Sequence, residues 1–173
     1  MEGNCPKITI RPYKVSDADD FMIYGGDDRV TRFSRLDTFT SQEEALANIK
    51  DLCIPHPYCR SICLDDRSIG FLMITPGLGD ERCRAEVRYA LATEYWGCGI
   101  VAEALKIAMP EAVKEFPELV RLQAHAAAEN KASQRVLEKL GFLREGLLRK
   151  YVFNKGELRD VIIYGLLVTD LMS

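Results

Sequence analysis

The stretch Tyr95-Trp-Gly-Cys-Gly-Ile-Val-Ala-Glu-Ala-Leu105 joins a glycine-rich loop directly to a helix-forming segment. At the start of a helix the first backbone N–H groups have no partner within the helix, and the helix dipole adds partial positive charge there. Such a junction can bind a diphosphate through the main chain alone. The stretch therefore indicates a nucleotide-bearing ligand. Two glycines also suit a plain tight turn, and Gly97-x-Gly99-x-x-Ala102 also fits the dinucleotide pattern of Rossmann folds.

The composition is that of an ordinary globular domain, with 173 residues of which 47% are hydrophobic and 28% charged. It predicts a single domain over residues 1–173. The formal net charge is −3 and no run of Lys or Arg occurs, which argues against nucleic acid as a partner. No apolar run approaches the roughly 18 to 20 residues that span a bilayer, and the first residues lack the layout of a signal peptide. We expect a cytoplasmic or nuclear protein, monomer or homodimer, that does not bind membranes.

The six cysteines form no Cys-x-x-Cys motif and the chain is too long and core-rich to need disulfides, so they predict free thiols rather than disulfides or a metal site. Cys98 differs because it stands at the predicted helix start, where the thiolate is favoured, and we expect it to be open to oxidation. The six positions are Cys5, Cys53, Cys59, Cys63, Cys83 and Cys98.

Hydrophobic periodicity predicts the element order β, α, α, β, β, β, α, β, α, β, β. The strand Arg84–Leu91, the glycine loop, a helix and the strand Leu119–Ala126 form one βαβ unit, whose crossover implies a parallel strand pair. Hairpins around 65–68 and 154–156 predict antiparallel strands before and after this unit. A Rossmann domain would need several more parallel βα units, with Glu129 as its ribose carboxylate. The order of elements therefore favours another fold.

Four helices are predicted. The first is capped by Ser16, the second spans 41–53, and the third follows the glycine loop and contains Pro110, which must kink it or interrupt its bonding. The fourth is capped by Asn130 and ends at Gly141, because a helix C-terminus favours a residue with positive φ.

Nine short motifs occur in order along nearly the whole chain. They are Ile10-Arg11-Pro12, Ser16-Asp17-Ala18, Glu86-Val87-Arg88-Tyr89, Tyr95 to Gly99, Ala102 to Leu105, Asn130-Lys131-Ala132-Ser133, Leu140-Gly141-Phe142, Glu145-Gly146 and Arg159-Asp160. Together these motifs resemble the GNAT superfamily of acyl-CoA-dependent N-acetyltransferases, most closely its ribosomal-protein-alanine branch. The resemblance implies an α/β (mixed α+β) fold with a central, mostly antiparallel sheet of about seven strands, one parallel βαβ pair and about four flanking helices.

The resemblance implies acetyl-CoA as cosubstrate, with its phosphates on the main chain of the glycine loop and its pantetheine arm along the preceding strand. Trp96 and Val101 depart from the family pattern, which has a polar first and a small last residue. The implied cofactor-binding residues are Tyr89, Ala90, Leu91, Trp96, Gly97, Cys98, Gly99, Ile100, Val101, Ala102, Glu103, Asn130 and Ser133.

The resemblance also implies attack of a primary amine, a protein N-terminus or a small amine, on the thioester without a covalent enzyme intermediate or a metal. A backbone N–H near Ala90 or Leu91 would polarise the thioester. Many relatives place a Tyr acid where Leu137 stands, so Ser133 becomes the candidate acid. Glu86 is the candidate base, with His125 a weaker candidate and deprotonation through water left open. The missing Tyr also leaves open a catalytically weak CoA-binding module.

Overall fold

The computed structural model describes residues 7–171, which form one seven-stranded sheet in the order β1-β2-β3-β4-β5-β7-β6. All neighbouring strands are antiparallel except β4 and β5, which are parallel. This arrangement confirms the predicted mixed sheet with one parallel pair and rules out the Rossmann alternative. The strands are β1 Ile8–Arg11, β2 Cys59–Leu64, β3 Arg67–Pro76, β4 Arg84–Leu91, β5 Arg121–Ala127, β6 Leu143–Asn154 and β7 Glu157–Leu167.

Six α-helices occur among the described residues, two more than the four predicted, because α2 and α6 are single turns of four residues each. The predicted helix over 41–53 divides, since regular α-helix gives way to a π-helical segment at Ile49–Cys53. Helix α4 continues past Pro110 rather than ending there. The helices are α1 Ala18–Gly25, α2 Asp28–Thr31, α3 Gln42–Asn48, α4 Ile100–Glu115, α5 Lys131–Lys139 and α6 Val168–Leu171.

The start of α1 differs from the prediction. Ser16 does not cap it but lies inside a 3-10 turn over Val15–Asp17. The side chain of Asp17 instead turns inward, where both carboxylate oxygens accept hydrogen bonds of 2.8 Å from the Arg11 guanidinium. Burial opposes ionisation of Asp17, but the bonds from Arg11 and from the Lys14 N–H lower its pKa overall. An ion pair therefore fixes the entry to α1.

The sheet has an apolar core on each face. Alternate residues of β3 divide between the two cores, as the two-residue period of a strand requires. Leu72 and Ile74 belong to the larger core, which includes residues of α4 and α5, whereas Met73 belongs to the smaller one beneath α1 and α3. Within residues 7–171 no helix is long and apolar enough to cross a membrane.

Candidate active site

The glycine loop enters α4 in the left-handed conformation. Gly97 has φ of 77° and Gly99, the N-cap residue, has φ of 74°. No side chain caps the helix, so the N–H groups of Ile100, Val101 and Ala102 keep no protein partner among the described residues. The Glu103 N–H already donates to the Gly99 carbonyl at 3.1 Å, which leaves the predicted phosphate cradle one residue shorter.

Trp96, which departs from the family pattern, ties this loop to the strand before it. The indole Nε1–H donates to the Leu91 carbonyl at 2.8 Å, although the residue is 51% exposed. The loop is thus held to the end of β4 by a side-chain hydrogen bond.

The parallel strands β4 and β5 separate beyond Glu86, the last β4 residue paired with β5. The Ala92 N–H donates to the Ile69 carbonyl and the Gly77 N–H to the Arg84 carbonyl, so even-numbered residues of β4 direct their main-chain groups toward β3. Odd-numbered residues therefore direct theirs toward the gap. Of the two positions predicted to polarise a thioester, Leu91 offers its N–H to the gap, whereas that of Ala90 points to β3.

A cavity of about 1310 Å³ runs through this gap and along the glycine loop. Glu86, Cys98 and Glu103 do not line it. Most of the predicted cofactor-binding residues do, namely Tyr89, Ala90, Leu91, Trp96, Gly97, Gly99, Ile100, Val101, Ala102, Asn130 and Ser133.

On the side of the gap that faces α5, two hydroxyls meet. The Tyr89 hydroxyl and Ser133 Oγ are 2.6 Å apart. Burial raises the pKa of Tyr89 to about 12 even though its bond to Ser133 opposes the rise, so the phenol keeps its proton at neutral pH. The Asn130 side chain accepts the Ser133 N–H at 3.2 Å, which confirms Asn130 as the cap of α5. Leu137 is fully buried in the larger core.

On the other side of the gap a carboxylate faces an imidazole. Glu86 Oε1 lies 3.4 Å from His125 Nδ1, which is buried and has no hydrogen-bond partner among the described residues, and 3.2 Å from Arg88 Nε. These two neighbours, His125 first, lower the pKa of Glu86 to about 2 against the opposing effect of burial. Glu86 is therefore ionised at neutral pH. The His125 ring lines the cavity and stacks on Tyr151, with ring centroids 6.0 Å apart.

Two basic side chains of α5 line the cavity, and the sequence motifs did not predict them as site residues. Arg135 and Lys139 have no ion-pair partner among residues 7–171, and Lys139 Nζ would lie 3.8 Å from a Cβ added at Gly99. Their spacing of four residues, which puts them on one helix face, was the available signal. No group of three or more His, Cys, Asp or Glu in the described part of the chain could hold a metal ion.

The five cysteines within that part are free, as predicted, and Cys98 is exposed. Cys5 lies outside the described residues.

The structure thus places a cradle of free N–H groups beside a parallel strand pair that separates. The sequence model of one protein family, the acetyltransferase (GNAT) domain, matches residues 7–143 of this chain. The chain belongs to the GNAT family of acetyltransferases. It is accordingly an acetyl-CoA-dependent N-acetyltransferase.

Relatives and solved structures agree with this assignment. The chain is 32% identical to the uncharacterized N-acetyltransferase p20 of Bacillus licheniformis, with 93% of each chain covered. Its fold matches a ribosomal-protein-S5-alanine acetyltransferase from Vibrio fischeri with a TM-score of 0.77 and 24% identity, covering 95% of this chain and 94% of that one. It also matches the spermidine N-acetyltransferase of Vibrio cholerae in complex with CoA and spermine, with a TM-score of 0.81 and 18% identity over 96% and 98% of the two chains. These two structural likenesses show a shared fold.

Proposed function

We propose that this enzyme acetylates a primary amine, a protein N-terminus or a small-molecule amine, by direct attack of the amine on acetyl-CoA. The observation that carries the proposal is the cavity through the β4–β5 gap, with a hydroxyl pair on one side and a carboxylate–imidazole pair on the other. A thioester is already activated, so transfer requires a neutral amine, a polarised carbonyl and a proton for the thiolate. The described residues offer a candidate for each requirement.

The CoA end of the cavity is the glycine loop. The free N–H groups of Ile100 to Ala102 suit the diphosphate, and Arg135 and Lys139 add two unpaired positive charges beside it. The pantetheine arm would then lie along β4, with the thioester oxygen accepting a hydrogen bond from the Leu91 N–H. This set supports acetyl-CoA binding without contributions from Cys98 or Glu103 side chains.

At the sulfur, Ser133 is the proposed proton donor. When the Tyr89 O–H donates to Ser133 Oγ, the Ser133 O–H is left free to donate to the sulfur as the carbon–sulfur bond breaks. A serine hydroxyl is a weaker acid than a phenol, so the proton that Ser133 gives to the sulfur is replaced by that of Tyr89, whose pKa is about 12, and Tyr89 regains its proton from solvent. Ser133 therefore contacts the sulfur, and Tyr89 orients Ser133 and resupplies its proton.

At the amine, Glu86 is proposed to act through His125. A carboxylate with a pKa of about 2 is a poor base at neutral pH, but at 3.4 Å from His125 Nδ1 its negative charge would favour the imidazole tautomer that carries its proton on Nδ1. His125 Nε2 is then left with a lone pair, and the ring lines the cavity that the amine would enter. One proton leaves the amine to Nε2 and another reaches the thiolate, so the products are the amide and free CoA thiol.

The experiment is a panel of peptides and small amines, with CoA release read as free thiol. His125→Ala should lower kcat by about 100-fold, the usual scale for a general base, leave the KM for acetyl-CoA unchanged, and regain activity with added imidazole. His56→Ala is the matched control, because His56 is the other of the two histidines and lies outside the cavity. Glu86→Gln should lower kcat without changing either KM.

Binding of acetyl-CoA without thiol release for any amine in the panel would identify a CoA-binding module instead. Equal activity of His125→Ala and the wild type would leave deprotonation to water.

A further inference from the structure

Positive side chains outnumber negative ones on the cavity wall formed by α2, the loop that follows it, β4 and the β6–β7 hairpin. Five cationic side chains line it, whereas the carboxylates that pair with three of them do not line it. The cations are Arg29, Arg35, Arg88, Lys155 and Arg159, and the carboxylates paired with Arg29, Arg88 and Arg159 are Asp27, Glu86, Glu129 and Glu157.

Two carboxylates do line the cavity, and both are already engaged. Glu44 accepts hydrogen bonds from the Thr40 N–H at 2.7 Å and from the Thr40 hydroxyl at 3.0 Å. Asp37 points to solvent and lies 3.5 Å from Lys155 Nζ. Lys155 therefore offsets part of the negative charge of Asp37, and the Thr40 groups fix the position of the Glu44 carboxylate.

Arg159 is the best-defined of the cations. Its side chain is 5% exposed and is held by Glu129 at 3.0 Å, by Glu157 at 2.8 Å and by the face of the Phe33 ring at 5.1 Å. Its Nε is nevertheless buried without a hydrogen-bond partner among the described residues. An unpaired buried donor is costly, and a ligand oxygen would relieve that cost.

The loop that carries Arg35 is held by hydrogen bonds from the β6–β7 hairpin on the same wall of the cavity. Lys155, at the tip of the β6–β7 hairpin, donates to the Leu36 carbonyl at 2.6 Å, and Asn154 donates to the Arg32 carbonyl at 3.4 Å. The hairpin and the loop therefore form one wall. Arg35 is exposed on this wall and has no ion-pair partner within residues 7–171.

We infer that the acceptor is a primary amine that carries carboxylate groups close to the amine, such as the N-terminus of an acidic peptide or a free acidic amino acid. This inference rests on the proposed function. An amine of this class places its nitrogen at the gap and its carboxylates against the cationic wall. A polyamine such as spermidine would instead bring further positive charges to a wall on which five cations face two carboxylates.

The test compares matched acceptors by thiol release at fixed, saturating acetyl-CoA. The probes are the peptides Ala-Asp-Glu-Ala-Ala, Ala-Gln-Gln-Ala-Ala and Ala-Lys-Lys-Ala-Ala, each with an amidated C-terminus, together with free glutamate and spermidine. We expect the acidic peptide to exceed the neutral one by about tenfold in kcat/KM, mostly through KM, and the basic peptide and spermidine to be the poorest. The advantage of the acidic peptide should shrink as salt is added. Comparison of the acidic peptide with free glutamate shows whether the acceptor is the N-terminus of an acidic peptide or a free acidic amino acid.

Charge reversal at an unpaired position tests the wall itself. Arg35→Glu should lower kcat/KM for the acidic peptide by about tenfold and raise it for the basic peptide, with little change in kcat. Arg144→Glu makes the same charge change at an exposed position that does not line the cavity, and it should leave the order of the peptides unchanged.

Equal kcat/KM for acidic, neutral and basic peptides, or an Arg35→Glu enzyme with the wild-type order, would overturn the inference while leaving amine acetylation intact. Absence of thiol release with every acceptor would instead count against the proposed function.

Discussion

Replacing Gly99 by valine tests whether the N-cap of α4 binds acetyl-CoA. Gly99 has φ of 74°, a conformation that costs a residue with a branched side chain roughly 1 to 2 kcal/mol. A Cβ at this position meets only Lys139 Nζ at 3.8 Å, so no clash with the fold adds to that cost. For a chain of this size the melting temperature should fall by about 2 to 8 °C. The added side chain would stand over the N–H groups that the diphosphate needs, so acetyl-CoA should bind at least about tenfold more weakly in titration calorimetry.

Gly79→Val is the matched control for backbone strain. Gly79 has φ of 58°, no atom lies within 4 Å of its added Cβ, and the residue does not line the cavity. The two variants should lose similar stability, but only Gly99→Val should lose affinity. Equal affinities of the two variants for acetyl-CoA would refute the phosphate role of the loop.

Two further predictions concern the sulfur site and the fold. Ser133→Ala should lower kcat by about 10- to 100-fold and leave acetyl-CoA affinity unchanged, because the main-chain N–H of residue 133 still donates to Asn130. A loss of acetyl-CoA affinity alone, measured by calorimetry, would make Ser133 a contact residue instead. Asp17→Asn should destabilise the fold by about 3 kcal/mol near pH 7, since it breaks a mostly buried ion pair with Arg11. Because the folded pKa of Asp17 is lowered, this stabilisation is present above the unfolded value near 3.9 and disappears as pH falls through the folded value. Urea denaturation of both proteins should therefore converge in strong acid, and a constant difference at all pH values would contradict the assignment.

Local patterns predicted the elements that depend on local chemistry. The bounds of β4, Arg84–Leu91, were predicted to the residue because alternation and flanking loops define a half-buried strand. Asn130 and Gly141 were predicted as the ends of α5 for similar reasons. Ser16 failed as a cap because its neighbour Asp17 is drawn into an ion pair with Arg11, six residues earlier in the chain.

The sequence could propose the residues of the candidate site but not the contacts between them. The proposed phosphate chemistry of the glycine loop lies in the main chain, so Gly99 could be nominated for it from the sequence. The contact between Tyr89 and Ser133 depends on how α5 packs against β4, and that between Glu86 and His125 on where two strands separate. Hydrophobic periodicity in the sequence predicts neither of these two contacts.

The contacts that fasten the hairpin tip to the opposite loop have a consequence for how this enzyme could diversify. Lys155 and Asn154 both donate to main-chain carbonyls of the loop, at Leu36 and Arg32, rather than to its side chains. A carbonyl is present whatever residue occupies the position, so these two bonds survive exchange of the loop's side chains. The loop side chains on the wall proposed to face the acceptor can therefore be exchanged one at a time, by evolution or in a mutant library, while these two bonds keep the loop attached to the hairpin.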